Sequence, residues 1–585
     1  MSRRLVSLAT LAACGLLAAA ALPFPVSEAS ETGRVPSARP VAAAADPAYD
    51  VLVFSRTAGF RHSSIDEGVT ALRELGAANN FTVTATEDAA AFTPANLAGY
   101  ESVIFLSTTG DVLNAAQQTA FEGYIAAGGG YAGVHAAADT EYDWSWYAGL
   151  AGALFQSHPA IQQATVKVED RAHDATAHLG PAWQRTDEWY NYRTNPRTGA
   201  HVLASLDESS YSGGSMGGDH PIAWCKDYQG GRAFYTGGGH TEESYSDPAF
   251  RRHLLGGIRW SAGATEADCR PETGYTTLFG TSGTTGWRQA GPGSFTNADS
   301  TLTSQGGLGL LWYQAKEYTS YSLKLDWRQA GDDNSGVFVG FPASDDPWSA
   351  VDNGYEIQID ATDATDRTTG SVYGFKSADT AARDRALNPP GEWNTYEIRV
   401  EGERLRVYLN GIQINDFTNT VPARSLQQGH IGLQNHGDGD DVSFRNIRVK
   451  ELGGTTGPRQ GAVTGIGGKC VDVANGASAD GTQIQLWTCN GSAAQTWTVG
   501  TDDTLRALGK CLDISGGGTA DGTKIQLYGC NNTGAQKWVP QPDGTLRNPQ
   551  SGKCLDASGV SSVDGTKLHL WTCLAAVNQK WILPG

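Results

Sequence analysis

Several histidines and acidic residues in the first half of the chain lie in short loop motifs rich in glycine, proline or aromatic residues. His135 lies at the tip of one such turn, GGGYAGVHAAADT (128–140), which follows an apolar strand and a helical stretch. Many α/β enzymes carry a nucleophile in a turn of this kind, but no Ser or Cys stands beside His135. Comparable motifs contain His62, His158, Asp187, Glu188 and His240.

Imidazole and carboxylate groups from such loops support two kinds of chemistry. Imidazole titrates near neutral pH and can transfer protons, and the same groups can bind a divalent metal. No H-x-x-x-H or H-x-H spacing fixes a metal geometry, so we favour acid–base catalysis or polar contact with a sugar, with a divalent metal as the alternative. No dinucleotide or P-loop fingerprint is present, and no nucleotide cofactor is expected. We call the following four residues the His–Glu cluster: His62, His135, Glu188 and His240.

Two carboxylates in the middle of the chain are spaced to share one face of a strand. Glu356, Gln358 and Asp360 occupy alternate positions of NGYEIQID (353–360), and alternate residues of a strand project from the same face. Two carboxylates on one face can supply the acid and the base that glycosidic cleavage needs. The alternative is the solvated polar face of a half-buried strand.

The last part of the chain contains a threefold repeat. Its units read KCVDV…DGTQIQLWTC…QTW, KCLDI…DGTKIQLYGC…QKW and KCLDA…DGTKLHLWTC…QKW. Three short units that cannot each bury a core would close into a threefold barrel, with the Q-x-W tryptophans at its centre and one local disulfide per unit. The paired cysteines are Cys470/Cys489, Cys511/Cys530 and Cys554/Cys573, and the tryptophans are Trp497, Trp538 and Trp581.

The elements that must position these residues differ along the chain. Between 49 and 262, strands alternate with helical segments, which predicts a doubly wound parallel sheet with ligands at the carboxyl ends of its strands. His62, Asp111 and His135 would fall at those ends. From about 273 to 452, long segments with alternating apolar residues predict an antiparallel β-sandwich.

The chain ends and the composition bear on location and partners. The apolar N-terminus predicts a signal peptide and hence a secreted, extracellular protein, and no other window is suited to span a bilayer. The formal net charge of −19 argues against nucleic-acid or anionic-membrane partners. The predicted organisation is a signal peptide at 1–29 cleaved after Ala29 or as late as Ala45, an α/β domain at 46–265, a sandwich at 273–452, a linker at 453–460 and a threefold barrel at 461–585.

Six motifs follow one another in the α/β domain: GFRHSSI, GGGYAGVHAAADT, GALFQSHP, DEWYNY, HPIAWCKDYQGGRAFYTGGGHTEESY and FRRHLLGGIRW. Together they resemble the ThuA-like trehalose-utilisation family over the whole domain. This family is similar to class I glutamine amidotransferases, whose cysteine nucleophile is absent here, so amidotransfer by that mechanism is disfavoured. Cys225 is expected to pair with Cys269, as suits an oxidising compartment.

The sandwich segment contains DNSGVFVGF, NGYEIQID, PPGEWNTYEIRVEGERLRVYLNG and IGLQNHGDGDDVSFRNIRV. These stretches resemble the 3-keto-disaccharide hydrolase family, a concanavalin-like sandwich. The resemblance implies a carbohydrate-processing site on the concave sheet, with Glu356 as a catalytic residue beside Asp360. Arg445 is expected to brace strands through an ion pair. The residues expected to position substrate are Asn334, Gln358, Gln434 and His436.

The repeat resembles the ricin B-type lectin β-trefoil over essentially all of 461–585. The resemblance implies sugar sites that combine an aspartate with a flat aromatic face, a combination suited to neutral sugars. The implied sites are Asp472, Gln485 and Trp487 in the first unit, Asp513, Gln526 and Tyr528 in the second, and Asp556, Trp571, Asn578 and Gln579 in the third. The units depart from the family pattern at Ala494, Ala535 and His569.

Three resemblances therefore all concern sugars. We hypothesise a secreted enzyme that hydrolyses a 3-keto-disaccharide or a related glycoside while its lectin domain binds polysaccharide. One alternative is a non-catalytic multivalent carbohydrate-binding or adhesion protein. A second alternative confines catalysis to the α/β domain and makes the sandwich a binding module. The sequence makes no prediction of the oligomeric state.

Overall fold

The computed structural model of the chain describes residues 46–280, 283–452, 459–500, 502–541 and 543–584. The predicted signal peptide, both predicted cleavage positions and most of the predicted linker lie outside these residues. Within the described ranges, no helix is both long and apolar enough to cross a membrane.

The first domain is built on a mixed sheet. Its strands are β1 (Tyr49–Phe54), β2 (Phe81–Thr86), β3 (Ser102–Leu106), β4 (Gly130–Val134), β5 (Phe155–Ser157), β6 (Gln162–Val168), β7 (Ala182–Asp187), β8 (Asn191–Tyr192), β9 (His201–Leu206), β10 (Pro221–Tyr228) and β11 (Gly231–Thr236). Its helices are α1 (Ile65–Ala78), α2 (Pro94–Leu97), α3 (Ala115–Ala126), α4 (Ser145–Ala151) and α5 (Pro248–Ser261).

The main sheet of this domain has the order β2-β1-β3-β4-β11-β10-β9-β6-β7. The first five strands in this order are parallel to their neighbours, as the sequence predicted. The other four extend the sheet in antiparallel pairs. Strands β3 and β4 are buried along their whole length, which is typical of a parallel sheet covered on both faces.

The second domain is an antiparallel sandwich. Its strands are β12 (Thr276–Phe279), β13 (Trp287–Ala290), β14 (Ser294–Ala298), β15 (Thr301–Gln305), β16 (Gly309–Tyr313), β17 (Tyr321–Gln329), β18 (Ser335–Phe341), β19 (Tyr355–Ile359), β20 (Asn394–Glu401), β21 (Arg404–Leu409), β22 (Ile412–Thr418), β23 (His430–Asn435) and β24 (Val442–Glu451). Its helices are α6 (Trp348–Asn353) and α7 (Thr380–Ala386).

Two sheets of the sandwich enclose one apolar core. One sheet has the order β14-β15-β24-β17-β20-β21-β22, with β12 also paired to β24, and the other has the order β13-β16-β23-β18-β19. The inward residues of both sheets, among them Leu325, Val337, Ile357 and Leu433, form the core. Because strand residues alternate in direction, Glu356 and Gln358 project from the opposite face of β19 to Ile357.

The third domain is a β-trefoil of short strands. These are β25 (Arg459–Gly461), β26 (Cys470–Val473), β27 (Thr482–Trp487), β28 (Trp497–Val499), β29 (Leu505–Ala507), β30 (Lys510–Ile514), β31 (Ile525–Tyr528), β32 (Val539–Pro540), β33 (Leu546–Asn548), β34 (Lys553–Ala557) and β35 (Leu568–Trp571). Trp497, Trp538 and Trp581 belong to one core. Each indole N–H donates to the backbone carbonyl 26 residues earlier, at 2.8, 3.0 and 3.0 Å, so the three units repeat in detail.

All four predicted disulfides are present. In the trefoil the bonded Cα atoms lie 5.1 Å apart in each unit. Cys225 of β10 bonds Cys269 beyond α5, with 5.4 Å between their Cα atoms. This bond ties the segment that leaves the first domain back to the central sheet. The trefoil disulfides are Cys470–Cys489, Cys511–Cys530 and Cys554–Cys573.

Charged side chains are buried where this connecting segment meets the sandwich. Arg448 of β24 pairs with Glu272 at 2.6 Å and with Asp326 at 3.4 Å. Lys324 of β17 pairs with Asp268 at 2.8 Å. Since Asp268 and Glu272 belong to the connecting segment, these pairs hold it against the sandwich sheet.

The prediction of an ion pair for Arg445 is wrong. Its Nε and Nη2 atoms have no hydrogen-bond partner among the described residues, and its guanidinium lies 3.6 Å from the centre of the Trp393 ring. Burial lowers the pKa of Arg445 to about 9. Arg448 makes the ion pairs instead, because Glu272 of the connecting segment lies beside it.

The glycine that begins β4 allows a close approach between strand and helix, which gives a first prediction. A Cβ at Gly130 would lie 2.0 Å from the carbonyl oxygen of Ser261, at the end of α5. Gly130→Ala should therefore lower the free energy of unfolding of the first domain by about 1–3 kcal/mol, through overpacking. Urea unfolding of the full chain would measure this change.

The matched control is Gly123→Ala. Gly123 lies within α3, and a Cβ there would meet nothing within 4 Å. Alanine favours helix over glycine by up to about 1 kcal/mol, so this variant should be stabilised. Shifts of the same sign for the two variants would contradict the packing argument.

Candidate functional site

The His–Glu cluster lies at the carboxyl edge of the parallel strands. His135 directly follows β4, and His240 follows β11, its parallel neighbour. Glu188 follows β7, and His62 lies in the loop between β1 and α1. One ligand atom from each of the four side chains lies within 4.8 Å of the other three. The structure thus brings the four residues together, and their catalytic role stays a prediction.

The rings of the cluster stand almost perpendicular to one another. The centroids of His62, His135 and His240 are 4.9 to 5.0 Å apart, with interplanar angles of 80 to 88°. Nε2 of His135 lies 3.1 Å from Nδ1 of His240. Oε2 of Glu188 lies 3.1 Å from that Nδ1 atom and 3.6 Å from Nε2 of His135. The nitrogen and oxygen atoms therefore converge on a common point.

The turn after β4 sets the orientation of His135. The residue has a φ of 50°, in the left-handed region that a non-glycine residue adopts at a cost of about 1–2 kcal/mol. Its Nδ1–H donates to the carbonyl of Gly237 at 3.0 Å, and its own carbonyl accepts from the Tyr235 hydroxyl at 2.8 Å. The neutral ring then carries its hydrogen on Nδ1, so Nε2 presents a lone pair to the cluster.

A buried carboxylate behind the cluster positions two of its members. Asp187 accepts hydrogen bonds from Arg185 at 2.8 Å and Ser244 at 3.0 Å. It also accepts from the backbone N–H groups of Gly239 at 2.8 Å and His240 at 3.0 Å. Burial opposes ionisation of Asp187, but the Arg185 charge outweighs it and lowers the pKa. Asp187 thus connects the end of β7 to the turn that carries His240.

Two residues of the cluster have lowered pKa values. Burial, followed by the neighbouring imidazoles of His135 and His240, lowers the pKa of His62 to about 3. Burial raises the pKa of Glu188, but the neighbouring imidazoles of His135 and His240 outweigh it, and the net shift is downward. At neutral pH, Glu188 is therefore ionised and His62 is neutral.

Two further residues adjoin the cluster. Nδ1 of His158 lies 2.9 Å from Oε1 of Glu188. Phe60 is 67% exposed, and its ring lies 4.9 Å from that of His62 in an edge-on contact. Sequence reasoning did not select Phe60, although an aromatic residue in the GFRH motif was an available signal. Asp111 is exposed and lies outside the cluster.

In the sandwich, Glu356 and Gln358 of β19 share a face with Gln434 of β23. All three are buried, and in each the Oε1 atom has no hydrogen-bond partner among the described residues. A Cβ at Gly336 would lie 2.2 Å from Oε1 of Glu356, so glycine on the neighbouring strand leaves room for the carboxyl group. The face therefore presents several oxygens that a ligand could contact.

An apolar side chain lies opposite this carboxyl. Phe338, opposite Glu356 on β18, belongs to a small apolar cluster with Trp312, Phe341 and Ala350. Burial raises the pKa of Glu356 from 4.5 to about 8, and the neighbouring amide of Gln434 only partly offsets this. Glu356 is therefore protonated at neutral pH.

The second predicted carboxylate has a different environment. Asp360 accepts a hydrogen bond from the Asn334 side chain at 2.7 Å and from the backbone N–H groups of Thr362 and Asp363 at 2.9 and 3.0 Å. These bonds suit a residue that positions Asn334. His436 is half exposed, and a hydrogen bond to Asp440 at 2.9 Å raises its pKa.

The three trefoil units place their aspartates alike. Asp472, Asp513 and Asp556 are each at least 94% buried, with exposures of 6, 5 and 4%. Each carboxylate contacts the side chain 13 residues later, at 3.0, 2.9 and 2.8 Å. The contacting residues are Gln485, Gln526 and His569. The aromatic residues Trp487, Tyr528 and Trp571 are 41, 40 and 37% exposed, so each unit presents an accessible aromatic ring.

The glutamine of each Q-x-W motif supplies a further contact. It donates to the aspartate 23 residues earlier, at 3.1, 3.0 and 2.8 Å. Sequence reasoning selected only Gln579 and missed Gln495 and Gln536, although the repeat itself carried the signal. Asn578 adds another bond to Asp556 at 2.9 Å, which alanine cannot provide at the equivalent positions of the other units.

Comparison with known families agrees with this architecture. Residues 50–261 match the model for ThuA, described as trehalose utilisation. Residues 274–450 match the 3-keto-alpha-glucoside-1,2-lyase-like domain, and residues 459–581 match the ricin-type beta-trefoil lectin domain. The chain thus combines a ThuA-like α/β domain, a glycoside hydrolase-like sandwich and a carbohydrate-binding lectin trefoil.

Individual proteins resemble separate parts of the chain. The structure of a ThuA-like protein from Bacteroides uniformis ATCC 8492 is 26% identical, with 38% of this chain and 95% of that one covered and a TM-score of 0.34. Nigrin b from Sambucus nigra is 48% identical over 46 residues, which are 8% of each chain. A glucan endo-1,3-beta-glucosidase from Cellulosimicrobium cellulans is 56% identical over 39 residues, or 7% of each chain. The chain thus spans less than a tenth of either curated relative.

The raised pKa of Glu356 predicts a pH-dependent effect of its replacement. Between pH 4.5 and about 8 the folded chain keeps a proton that the unfolded chain has lost. Stability of the native sandwich therefore falls as pH rises through this window, whereas glutamine does not titrate. The stability advantage of Glu356→Gln should grow by up to about 1.4 kcal/mol per pH unit, measured by urea unfolding at several pH values.

The exposed Glu451 of β24 provides the control. Glu451→Gln makes the same substitution at an exposed position that pairs with Lys316. Its effect on unfolding should change little over the same pH range. An equally flat profile for Glu356→Gln would show that the carboxyl is not held protonated.

Proposed function

We propose that the chain is an exported enzyme that cleaves a 3-keto-disaccharide or a related glycoside while its trefoil binds polysaccharide. The observation that carries this proposal is the buried carboxyl of Glu356, whose pKa is raised to about 8. Beside it lie Gln358 and Gln434, whose side-chain oxygens lack hydrogen-bond partners within the described residues. A protonated carboxyl among free acceptors is suited to donate a proton to a substrate oxygen.

The chemistry of a 3-keto sugar fits this arrangement. The keto group acidifies the hydrogen on C2, so a base can remove that proton while the bond between C1 and the bridging oxygen breaks. A C1–C2 double bond forms, and Glu356 gives its proton to the departing oxygen. The candidate base is His436, because its Nδ1 is engaged by Asp440 at 2.9 Å and its Nε2 is left for substrate. Addition of water across the double bond then completes hydrolysis.

A second arrangement confines catalysis to the ThuA-like domain and leaves the sandwich as a binding module. Hydrogen bonds to Asn334 and to two backbone amides occupy the carboxylate of Asp360, which weakens the case for a pair of catalytic carboxylates. In this arrangement the His–Glu cluster performs the proton transfers. Variants of Glu356 and His240 distinguish the two arrangements.

The trefoil supports attachment to a polymer. Its three units each combine a buried aspartate, polar donors and an exposed aromatic ring. Individually weak sites that engage one polysaccharide raise the effective concentration of the enzyme near its substrate. The lectin domain then increases cleavage of polymer-associated glycosides without changing the reaction.

Turnover is the direct test of the catalytic proposal. The full chain is incubated with a 3-keto-disaccharide and with the corresponding unmodified disaccharide, and released monosaccharide is measured. Glu356→Gln should lower kcat on the 3-keto substrate about 100-fold or more, the usual contribution of a general acid. The wild-type rate should fall as pH rises through about 8, where Glu356 loses its proton.

The controls separate the alternatives. Glu451→Gln should keep the wild-type rate, because Glu451 is exposed and lies on the other sheet of the sandwich from Glu356. Full activity of Glu356→Gln together with loss of activity in His240→Ala would transfer the reaction to the ThuA-like domain. Glycan binding without turnover of either disaccharide would instead identify a non-catalytic binding protein.

Binding to polysaccharide tests the trefoil separately. Replacing Trp487, Tyr528 and Trp571 by Ala one at a time should weaken retention on an insoluble polysaccharide modestly, and the triple variant should lose far more than any single variant. This is expected because simultaneous contacts multiply avidity. Ile582→Ala, at another exposed apolar position of the trefoil, should retain wild-type binding. Unchanged retention of the triple variant would place the sugar sites elsewhere.

A further inference from the structure

The hydrogen-bond pattern of the His–Glu cluster has too few protons for its acceptors. With neutral imidazoles, the hydrogen of His135 lies on Nδ1, so its Nε2 is an acceptor. Oε2 of Glu188 is also an acceptor, and the two atoms face each other at 3.6 Å. The Nδ1 atom of His240, 3.1 Å from both, can donate one hydrogen to only one of them. A bound cation would satisfy these lone pairs together.

The spacing of these atoms suits a metal ion. Ligand atoms about 2.0–2.2 Å from a tetrahedral metal are about 3.3–3.6 Å from one another. The three observed separations are 3.1, 3.1 and 3.6 Å. A nitrogen of His62 completes the set, within 4.8 Å of the other three ligand atoms.

A buried group with no partner supports the same interpretation. His62 is 4% exposed, and its Nδ1 atom has no hydrogen-bond partner among the described residues. The perpendicular packing of its ring against those of His135 and His240 gives a three-sided arrangement of imidazoles. A buried polar atom of this kind requires an explanation, such as an ion.

Hydrogen bonds outside the cluster orient its members as metal sites require. The Gly237 carbonyl fixes the ring of His135, His158 contacts the second oxygen of Glu188 at 2.9 Å, and Asp187 holds the backbone of His240. Metal-binding histidines and carboxylates commonly have such supporting partners.

We infer that the His–Glu cluster is a binding site for a divalent first-row transition metal ion of the Zn²⁺ type. Imidazole nitrogens favour such ions, whereas Ca²⁺ and Mg²⁺ require sites made of oxygen. Another group of candidate ligands, His173 with Cys225 and Cys269, is excluded because its cysteines form a disulfide. The assignment does not depend on the sugar chemistry proposed above.

Metal binding to the full chain tests the inference. The protein is stripped with a chelator and titrated with Zn²⁺ and, separately, Co²⁺. Bound metal is counted by mass spectrometry, and the visible absorption of Co²⁺ reports its ligands. We expect one tightly bound ion per chain and a higher Tm in its presence. His240→Ala and the nearly isosteric Glu188→Gln should weaken binding more than about 100-fold, beyond the loss usual for a supporting residue.

His178→Ala is the matched control, because His178 is exposed in the same domain and contacts a backbone carbonyl outside the cluster. It should bind metal as the wild type does, and circular dichroism verifies that each variant is folded. Two results would overturn the assignment: no bound Zn²⁺ or Co²⁺ in the folded wild type, or wild-type affinity in both ligand variants. A protonated imidazole would then supply the positive charge between the acceptors of the cluster. The titrations contain no sugar, so this result is separate from any failure of glycoside cleavage.

Discussion

Asp187 is fully buried, and its carboxylate accepts hydrogen bonds from Arg185, Ser244 and two backbone amides of the turn after β11. An uncompensated charge at this place would be strongly unfavourable, so the ion pair with Arg185 must form as this edge of the sheet folds. Once formed, it joins two loops that are far apart along the chain. Glu188 and His240 are the immediate neighbours of these joined points. The arrangement of the His–Glu cluster therefore depends on a carboxylate that lies behind it.

A related constraint joins the first two domains. The disulfide from Cys225 to Cys269 and the ion pair between Arg448 and Glu272 both act on the short connecting segment. Arg259 at the end of the first domain also pairs with Glu392 of the sandwich at 2.9 Å. Removal of one partner of a buried ion pair is strongly destabilising, although the intact pair adds little to the overall free energy of unfolding. The connection is accordingly specific in geometry.

Much of the architecture was predictable, because it follows local patterns. The cysteine and Q-x-W repeat predicted the trefoil and its disulfides, and the rule for parallel strands placed His135 at the ligand-binding edge. The remainder depends on contacts between distant segments. The pKa of Glu356 reflects its burial on a sheet face that it shares with side chains of other strands, among them Phe338 of β18. The role of Asp187 similarly depends on a loop more than 50 residues later, with which no sequence spacing connects it. The path of the connecting segment places Glu272 beside Arg448, and for this reason Arg448 rather than Arg445 forms ion pairs.

The near-equivalence of the three trefoil units also bears on how the protein could move on a bound polysaccharide. A polysaccharide held at more than one unit can leave one exposed aromatic ring while another retains it, so complete release requires all contacts to break together. If the trefoil binds polysaccharide as proposed, stepwise exchange of contacts would allow the protein to travel along a polymer surface by diffusion in two dimensions. The attached domains would then sample many neighbouring sugar units during a single residence on the surface.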